Sequence, residues 1–396
     1  MTLKFGTAPS RKVVKQLEDA GYEAVFVGGS VRDHLLGKEA SDFDIATSAT
    51  PEEVKHVFSH TIDVGIAHGT VMVIMDEEPI EVTTYRTEST YTDHRRPDEV
   101  KFVRSLEDDL QRRDFTMNAL ALTLSGELID PFGGTIDLQN RKIRAVGNAT
   151  DRFHEDALRM IRAVRFSSVL GFEIEEWTLQ AIEENAASVA HVSVERIKAE
   201  MDKLWVGIDP SKAFATIIDT CLAEHLPLFP DDVQVLSACT PFAITEQGWS
   251  ALMLAGRFSA VDLARAYKLS NREKSFLTDV QAAFDRRQNG KFSIDDYYRF
   301  AVEVLIATEK VWQAIHPTEP GILVEEMMRM KESLSIHSKN DLKVDGKDLM
   351  TWTNQRGGKW VGDWMDKIEY AVLHRHCPND AEQIKEWFLN EYKRQR

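Results

Sequence analysis

The chain has 396 residues, 43% of them hydrophobic and 28% charged, with a formal net charge of −16. It is too long for one ordinary core, so two to four domains are expected; no run approaches the roughly 18 apolar residues of a membrane span and no apolar leader opens the chain, which points to the cytoplasm and to no membrane partner. Cys221, Cys239 and Cys377 are far apart without CxxC spacing, which speaks against a disulfide framework or zinc site and reads as small buried hydrophobes, while the acidic balance argues against a nucleic-acid partner unless basic residues cluster locally.

Ser10 can cap a first helix with Val13, Val14 and Leu17 on one side and Gly21 at its end. Glu23 to Val27 reads as a short buried strand, followed at once by Gly28-Gly29 and by helical spacing from Val31 to Leu36. A strand, a glycine pair and a helix start let backbone N–H groups approach phosphates with no Cβ in the way. The sequence is neither a Walker A nor a GxGxxG motif, and alone it is more often a tight turn. Arg32 could add charge-assisted bonds to a triphosphate or serve a local salt bridge. Asp42 and Asp44 follow, and strand alternation points both the same way with Phe43 turned into the core. Two adjacent carboxylates repel each other, and a hard divalent cation such as Mg2+ between them relieves that repulsion. Coupled to this acidic pair, the phosphate reading of the glycines becomes the better one.

Thr50-Pro51-Glu52-Glu53 opens another helix. Strands are expected at Thr61 to Val64, Thr70 to Met75 and Pro79 to Tyr85. In the last, Ile80, Val82 and Thr84 share one face and Glu81, Thr83 and Tyr85 the other, so Glu81 is either a third catalytic carboxylate or an exposed strand residue. Arg86 to Lys101 (RTESTYTDHRRPDEVK) is polar and nearly free of aliphatic residues, which predicts a mobile excursion. In LQRRDFTMNALAL, Asn118 lies one helical turn beyond Asp114, so their side chains can meet after the tandem Arg112-Arg113, an arrangement suited to ribose and phosphate. Asp130 to Gly134 is a turn, and Ile143 to Val146 reads as a closing strand.

From Asp151 the period turns helical and stays so, which sets a boundary near residue 148. In EDALRMIRAVRF, Asp156, Arg159, Arg162 and Arg165 recur every third position on one half of a helix. Three arginines and an acid could be a solvated face. Asp156 and Arg159 can also read a base, since a carboxylate only accepts and a guanidinium only donates. Cytosine and adenine both present an amine beside an unprotonated ring nitrogen, whereas guanine and uracil present the reverse, which would leave the protein groups unpaired.

GGSVRDHLLGKEASDFD at Gly28 to Asp44, RRDFTMNA at Arg112 to Ala119, EDALRMIRAVRF at Glu155 to Phe166, SVERIKAEM at Ser193 to Met201 and VDGKDL at Val344 to Leu349 together resemble the class II CCA-adding tRNA nucleotidyltransferases of bacteria, over essentially the whole chain. The resemblance implies an α+β fold: a polymerase-β-like head with a mixed sheet (1–148), then all-α neck (149–206), body (207–288) and tail (289–396). It implies Mg2+ on Asp42 and Asp44, with Glu81 as a third catalytic carboxylate. It further implies triphosphate contacts at Gly29, Arg32 and Arg113, base templating by Asp156 and Arg159, and a pocket completed by Arg162 and Arg165. The substrates would be CTP, ATP and the 3' end of tRNA, acted on by a monomer or homodimer. An enzyme adding only the final A, a poly(A) polymerase and a non-catalytic RNA binder on the same scaffold are the alternatives. Glu195, after Ser193-Val194, is a capping acid or a brace for the arginines. In the tail, Lys367, Arg375, Lys385, Lys393, Arg394 and Arg396 lie among Trp360, Trp364, Tyr370, Trp387 and Tyr392, a mixture that suits either folded RNA or an ordinary amphipathic face.

Overall fold

The computed structural model describes residues 5–40, 42–65, 69–88 and 100–394. Two compact units emerge, Met1–Val233 with Thr240–Thr245, and Gln234–Cys239 with Glu246–Arg396. The expected divisions at 148 and 206 fall inside the first unit, and that at 288 inside the second.

In the first unit, helix α1 (Ala8–Asp19) buries Val13, Val14 and Leu17 as their spacing predicts. Its cap is Thr7, whose hydroxyl accepts from the Ser10 N–H, and not Ser10, which is buried inside the first turn. Strand β1 (Ala24–Val27) runs through Gly28 into α2 (Gly29–Leu35), and β2 (Asp44–Thr47) leads to α3 (Pro51–Val57), fastened by a Thr50–Glu53 capping box. Strands β3 (Thr61–Gly65), β4 (Thr70–Met75) and β5 (Glu78–Thr84) follow, then a small hairpin of β6 (Arg86–Glu88) and β7 (Val100–Phe102). The expected excursion from Arg86 to Lys101 thus begins and ends as paired strand, and its centre, 89–99, lies outside the described residues. Helix α4 (Leu106–Gln111) precedes β8 (Ala121–Leu122) and β9 (Leu128–Ile129).

Among the described residues seven strands form one mixed sheet in the order β3-β4-β5-β2-β1-β8-β9, parallel only between β2 and β5. One face, carrying Phe26, Ile45, Val71, Val73, Ile80 and Val82, is buried, with α1 packed against β1, β2, β4 and β5. The other face is covered at one end only. There Val25, Val27, Ala46 and Tyr85 pack with Leu110 of α4 and with Ala119, Ala121 and Val146. Tyr85 therefore sits on the side of the sheet expected for it but is fully buried. At the open end of this face stand Asp44 and Glu81, both exposed.

Beyond α5 (Gly134–Gln139) the chain is not purely helical. Strand β10 (Lys142–Ile143) pairs in parallel with β11 (Glu173–Ile174) in a two-stranded sheet of its own, so Ile143 to Val146 does not close the seven-stranded sheet. Between and after these strands lie α6 (Ala149–Glu155), α7 (Leu158–Leu170), α8 (Glu176–Asn185), α9 (Val194–Trp205) and α10 (Pro210–Asp219), with α7 packed against both α9 and α10.

The second unit is helical: α11 (Gln234–Ala238), α12 (Thr245–Ala255), α13 (Ala260–Ala266), α14 (Asn271–Arg287), α15 (Ile294–Arg299), α16 (Val302–Ile315), α17 (Val324–Glu332), α18 (Gly346–Thr353), α19 (Lys359–Leu373) and α20 (Ala381–Arg394). Helices α14 and α16 pack together around a buried ion pair, Arg287 with Glu309, 4% and 2% exposed, in which Arg287 Nε and Nη2 donate to Glu309 at 2.7 and 3.1 Å. Cys239 and Cys377 are buried as expected; Cys221, in a left-handed turn after α10, is exposed. Among the described residues no helix is long and apolar enough to cross a membrane.

Candidate active site

The first wall of the site is the turn at Gly28, whose φ of +76° and ψ of −140° is open to glycine and strained for other residues. A Cβ there would lie 3.4 Å from an Arg113 guanidinium nitrogen and 3.6 Å from the Asp44 carboxylate, so the glycine lets both reach the same point. Asp42 lies just before β2 and Asp44 begins it; Phe43 between them turns into an aromatic cluster, 5.2 Å from Phe5 and 6.3 Å from Phe26. Ile45 is paired with Val82, so Asp44 and Glu81, each one residue earlier, stand side by side on neighbouring parallel strands.

These charges are felt. The Asp44 carboxyl is pushed up to about 6, first by the loss of water around it, then by Glu81, with Asp42 adding to the effect and Arg113 opposing it. An all-oxygen donor set strained by its own like charges fits a hard divalent cation, which needs only a few carboxylates when substrate phosphates complete its shell. Asp42 and Asp44 could hold such an ion. Among the described residues no three His, Cys, Asp or Glu side chains are drawn together as a cage.

The second wall is a buried network. Asp114 is 8% exposed and accepts at every position: Oδ1 from the Phe115 N–H at 2.8 Å and Asn118 Nδ2 at 3.0 Å, Oδ2 from Arg162 Nε and Nη2 at 2.8 and 2.6 Å. Asp114 and Asn118 meet as expected but not across a helical turn, since Phe115 is extended and only Thr116–Asn118 forms a short 3-10 turn. Asn118 Oδ1 in turn accepts from Arg32 Nη1 at 2.8 Å, and Arg32 also pairs with Asp33. Burial alone would raise the Asp114 carboxyl, but the Arg162 charge, together with the hydrogen bonds from Asn118, Arg162 and Phe115, holds it at about 2. A depressed carboxylate stabilises the fold above its unfolded value near 3.8 and loses that contribution as pH falls toward 2. We expect the stability gap between the parent and Asp114→Asn, measured by urea unfolding, to narrow by about 2 kcal/mol between pH 5 and pH 2. A gap independent of pH would show that Asp114 is not the group titrating.

The third wall departs most from expectation. Glu155 to Phe166 is not one helix: α6 ends at Glu155, Asp156 is extended at φ −148° and ψ 102°, and α7 starts at Leu158. Asp156 accepts from the Leu158 N–H two residues on, at 3.2 Å, a local bond that competes with helix and breaks it here. Its carboxylate is held by Arg196 of α9 at 2.6 and 3.1 Å. Arg159 is bonded instead to Glu155 Oε2 at 2.6 Å, the Arg152 carbonyl at 3.2 Å and the Arg112 carbonyl at 2.8 Å. Asp156 and Arg159 therefore lie at the same junction, each with its own protein partners. Arg165 donates to Glu200 at 2.8 Å, and Arg162 reaches the same acid at 3.4 Å. The arginine row is not a solvated face: Arg159 and Arg165 are buried, and the guanidinium carbons of Arg32, Arg162 and Arg165 lie 5.1, 5.7 and 3.5 Å from the Phe166 ring centre.

Five participants escape a sequence reading: Asp109, Glu155, Phe166, Arg196 and Glu200. Buried Asp109 binds both tandem arginines, Arg112 at 2.8 Å and Arg113 at 3.2 Å. Its i,i+3 and i,i+4 spacing was a usable signal. Glu200 of α9, one turn beyond Arg196, reaches Arg162 and Arg165 of the arginine row.

The head of the chain, residues 24–144, matches the poly A polymerase head domain; residues 171–231 match an RNA-binding region of polymerase A, and residues 241–388 a second domain of tRNA nucleotidyltransferases. The CCA-adding enzyme of Bacillus cytotoxicus is 41% identical over 95% of this chain and 96% of its own length, and that of a Geobacillus species 44% identical over 96% and 95%. The chain belongs to the CCA-adding enzyme family. The solved CCA-adding enzyme of Bacillus stearothermophilus in complex with CTP matches with a TM-score of 0.86 and 39% identity over 100% of this chain and 99% of that one. The Thermotoga maritima CCA-adding enzyme complexed with tRNA shares the fold at a TM-score of 0.67 and 20% identity. Membership makes the reaction a nucleotidyl transfer that builds CCA onto tRNA, in preference to the A-only, poly(A) and non-catalytic alternatives.

Proposed function

We propose that the open end of the head sheet carries out this transfer on the 3' end of tRNA with CTP and ATP, releasing pyrophosphate, and that the junction of α6 and α7 selects the base. The convergence of Asp44, Glu81, Gly28 and Arg113 at one point supports the chemistry. Mg2+ held by Asp42 and Asp44 would neutralise the triphosphate and activate the RNA hydroxyl. The Gly28-Gly29 backbone and the guanidiniums of Arg32 and Arg113 bind the phosphates. Asp114 and Asn118 hold Arg32 and Arg162 in place and so join the phosphate end of the pocket to its base end. Asp156 accepts the exocyclic amine of C or A, and Arg159 donates to the adjoining ring nitrogen. Arg162 and Arg165 complete the pocket around Phe166. In the helical unit, Lys367 lies 4.2 Å from the Trp364 ring centre beside a cavity of about 430 Å³ lined by Tyr370, His376 and Trp387. Such basic and aromatic surfaces suit the body of a folded RNA without reading its sequence.

Arg159→Ala should lower the preference for CTP over UTP by at least about tenfold, because the wrong base no longer leaves a donor unpaired. Its effect on KM for CTP should be smaller, since the phosphate contacts remain. Competition between labelled CTP and UTP on tRNA lacking its terminal three nucleotides measures both; an unchanged preference would end the base-reading role of Arg159.

A further inference from the structure

The carboxylates belong to a longer row that crosses the sheet. Val27 is paired with Asp44, Met72 with Glu81, and Ile62 with Met72, while the pairing of Ile45 with Val82 sets Glu81 level with Asp44. Reading across five strands, the row is Val27, Asp44, Glu81, Met72, Ile62, with neighbours about 4.8 Å apart. Two contacts fix which face it occupies. The hydroxyls of Thr70 and Thr83 meet at 3.1 Å on the side of Met72 and Glu81, and Asp63 reaches Lys55 of α3 on the opposite side, which leaves Ile62 on the carboxylate side. Met72 is half-buried and Ile62 is 55% exposed, whereas Val71 and Val73, on either side of Met72 in β4, face the core. An open apolar platform thus continues the catalytic row beyond Glu81.

We propose that Met72 and Ile62 position the 3'-terminal nucleotide of the RNA being extended, by apolar contact with its base. The inference rests on the transfer reading above. Gly28 follows Val27 directly, so the triphosphate lies at the β1 end of the row. In-line displacement requires the attacking hydroxyl to arrive from the side away from the departing pyrophosphate. That side of Asp44 is β5, β4 and β3. The terminal base changes as the end grows, so its seat has to tolerate different edges. A methionine and an isoleucine do so, because every base has an apolar face and neither side chain offers a hydrogen bond that one base would satisfy and another would not. They are positioning residues and take no part in bond making.

The test uses an RNA hairpin carrying the acceptor stem and T arm and ending in CC, extended with ATP by the full chain. Ile62→Ser and Met72→Ala should each raise KM for the hairpin by about fivefold or more and leave KM for ATP within about twofold. Met72→Leu should restore hairpin binding. Ile62 is exposed, so its replacement leaves the core intact and keeps the test meaningful even if Met72→Ala is poorly folded. Hairpin KM within twofold of the parent for Ile62→Ser, or hairpin and ATP constants rising together, would overturn the proposal. An Asp44→Asn variant that still extends the hairpin would instead overturn the transfer reading beneath it.

Discussion

Replacing Asp44 with alanine should lower incorporation of both CMP and AMP by at least about 1,000-fold if it helps to hold a catalytic metal as proposed, because such a carboxylate carries several kcal/mol of transition-state stabilisation. The size of the effect follows from where Asp44 stands. It is flanked by Asp42 in the chain and by Glu81 on the next strand, and both charges add to the burial that pushes its carboxyl upward. Of these acids, Asp44 is the one whose carboxylate lies beside the glycine turn, 3.6 Å from where a Cβ of Gly28 would stand. Binding of tRNA should persist, since the loss of a negative charge weakens no phosphate contact. Single-turnover extension and equilibrium tRNA binding, measured on the same preparation, separate the two. Turnover within tenfold of the parent would exclude Asp44 from the chemistry.

The second large effect lies in the helical unit. Glu309→Ala should destabilise it by about 3–5 kcal/mol, because the change strands the Arg287 guanidinium where no water can replace the lost partner. Glu309 also accepts from the Ile322 N–H at 2.9 Å, so one carboxylate satisfies a buried cation and a buried amide together. Arg287 further lies 4.6 Å from the Trp312 ring centre, which ties the ion pair to the packing of α16. Hydrogen exchange along α14 and α16 is the direct readout, with protection falling at least about a hundredfold. Glu309→Gln, which keeps the shape and an acceptor, should lose less. Equal protection in Glu309→Ala and the parent would mean that the pair contributes nothing.

Much of the head could be read from local pattern. The Thr50–Glu53 capping box, the glycines after β1 and the alternation in β5 are signals carried by neighbours in the chain, and each produced its element. The side-by-side placement of Asp44 and Glu81 needed the register of two parallel strands, which alternation restricts to one face without fixing the level. The junction at Asp156 was misread for a different reason. A three-residue charge repeat looks helical whether or not the backbone stays helical through its first member, and Asp156 spends its carboxylate on the Leu158 amide. The acids that cover Arg162 and Arg165 were invisible because they come from 35 to 48 residues away, as with Glu200 to Arg165 and Asp114 to Arg162. Periodicity says which side of a helix is charged. It says nothing about which distant acid will cover it.

Those internal partners change what it means for this pocket to choose a nucleotide. Asp156 is held by Arg196, and Arg159 by Glu155 and two carbonyl groups. On the proposed reading, a base that reaches these two side chains would trade one set of their bonds for another. C or A can return what it displaces. On the same reading, G or U would dissolve the internal pairs and give back mismatched contacts, so the pairs within the protein would themselves oppose the wrong base.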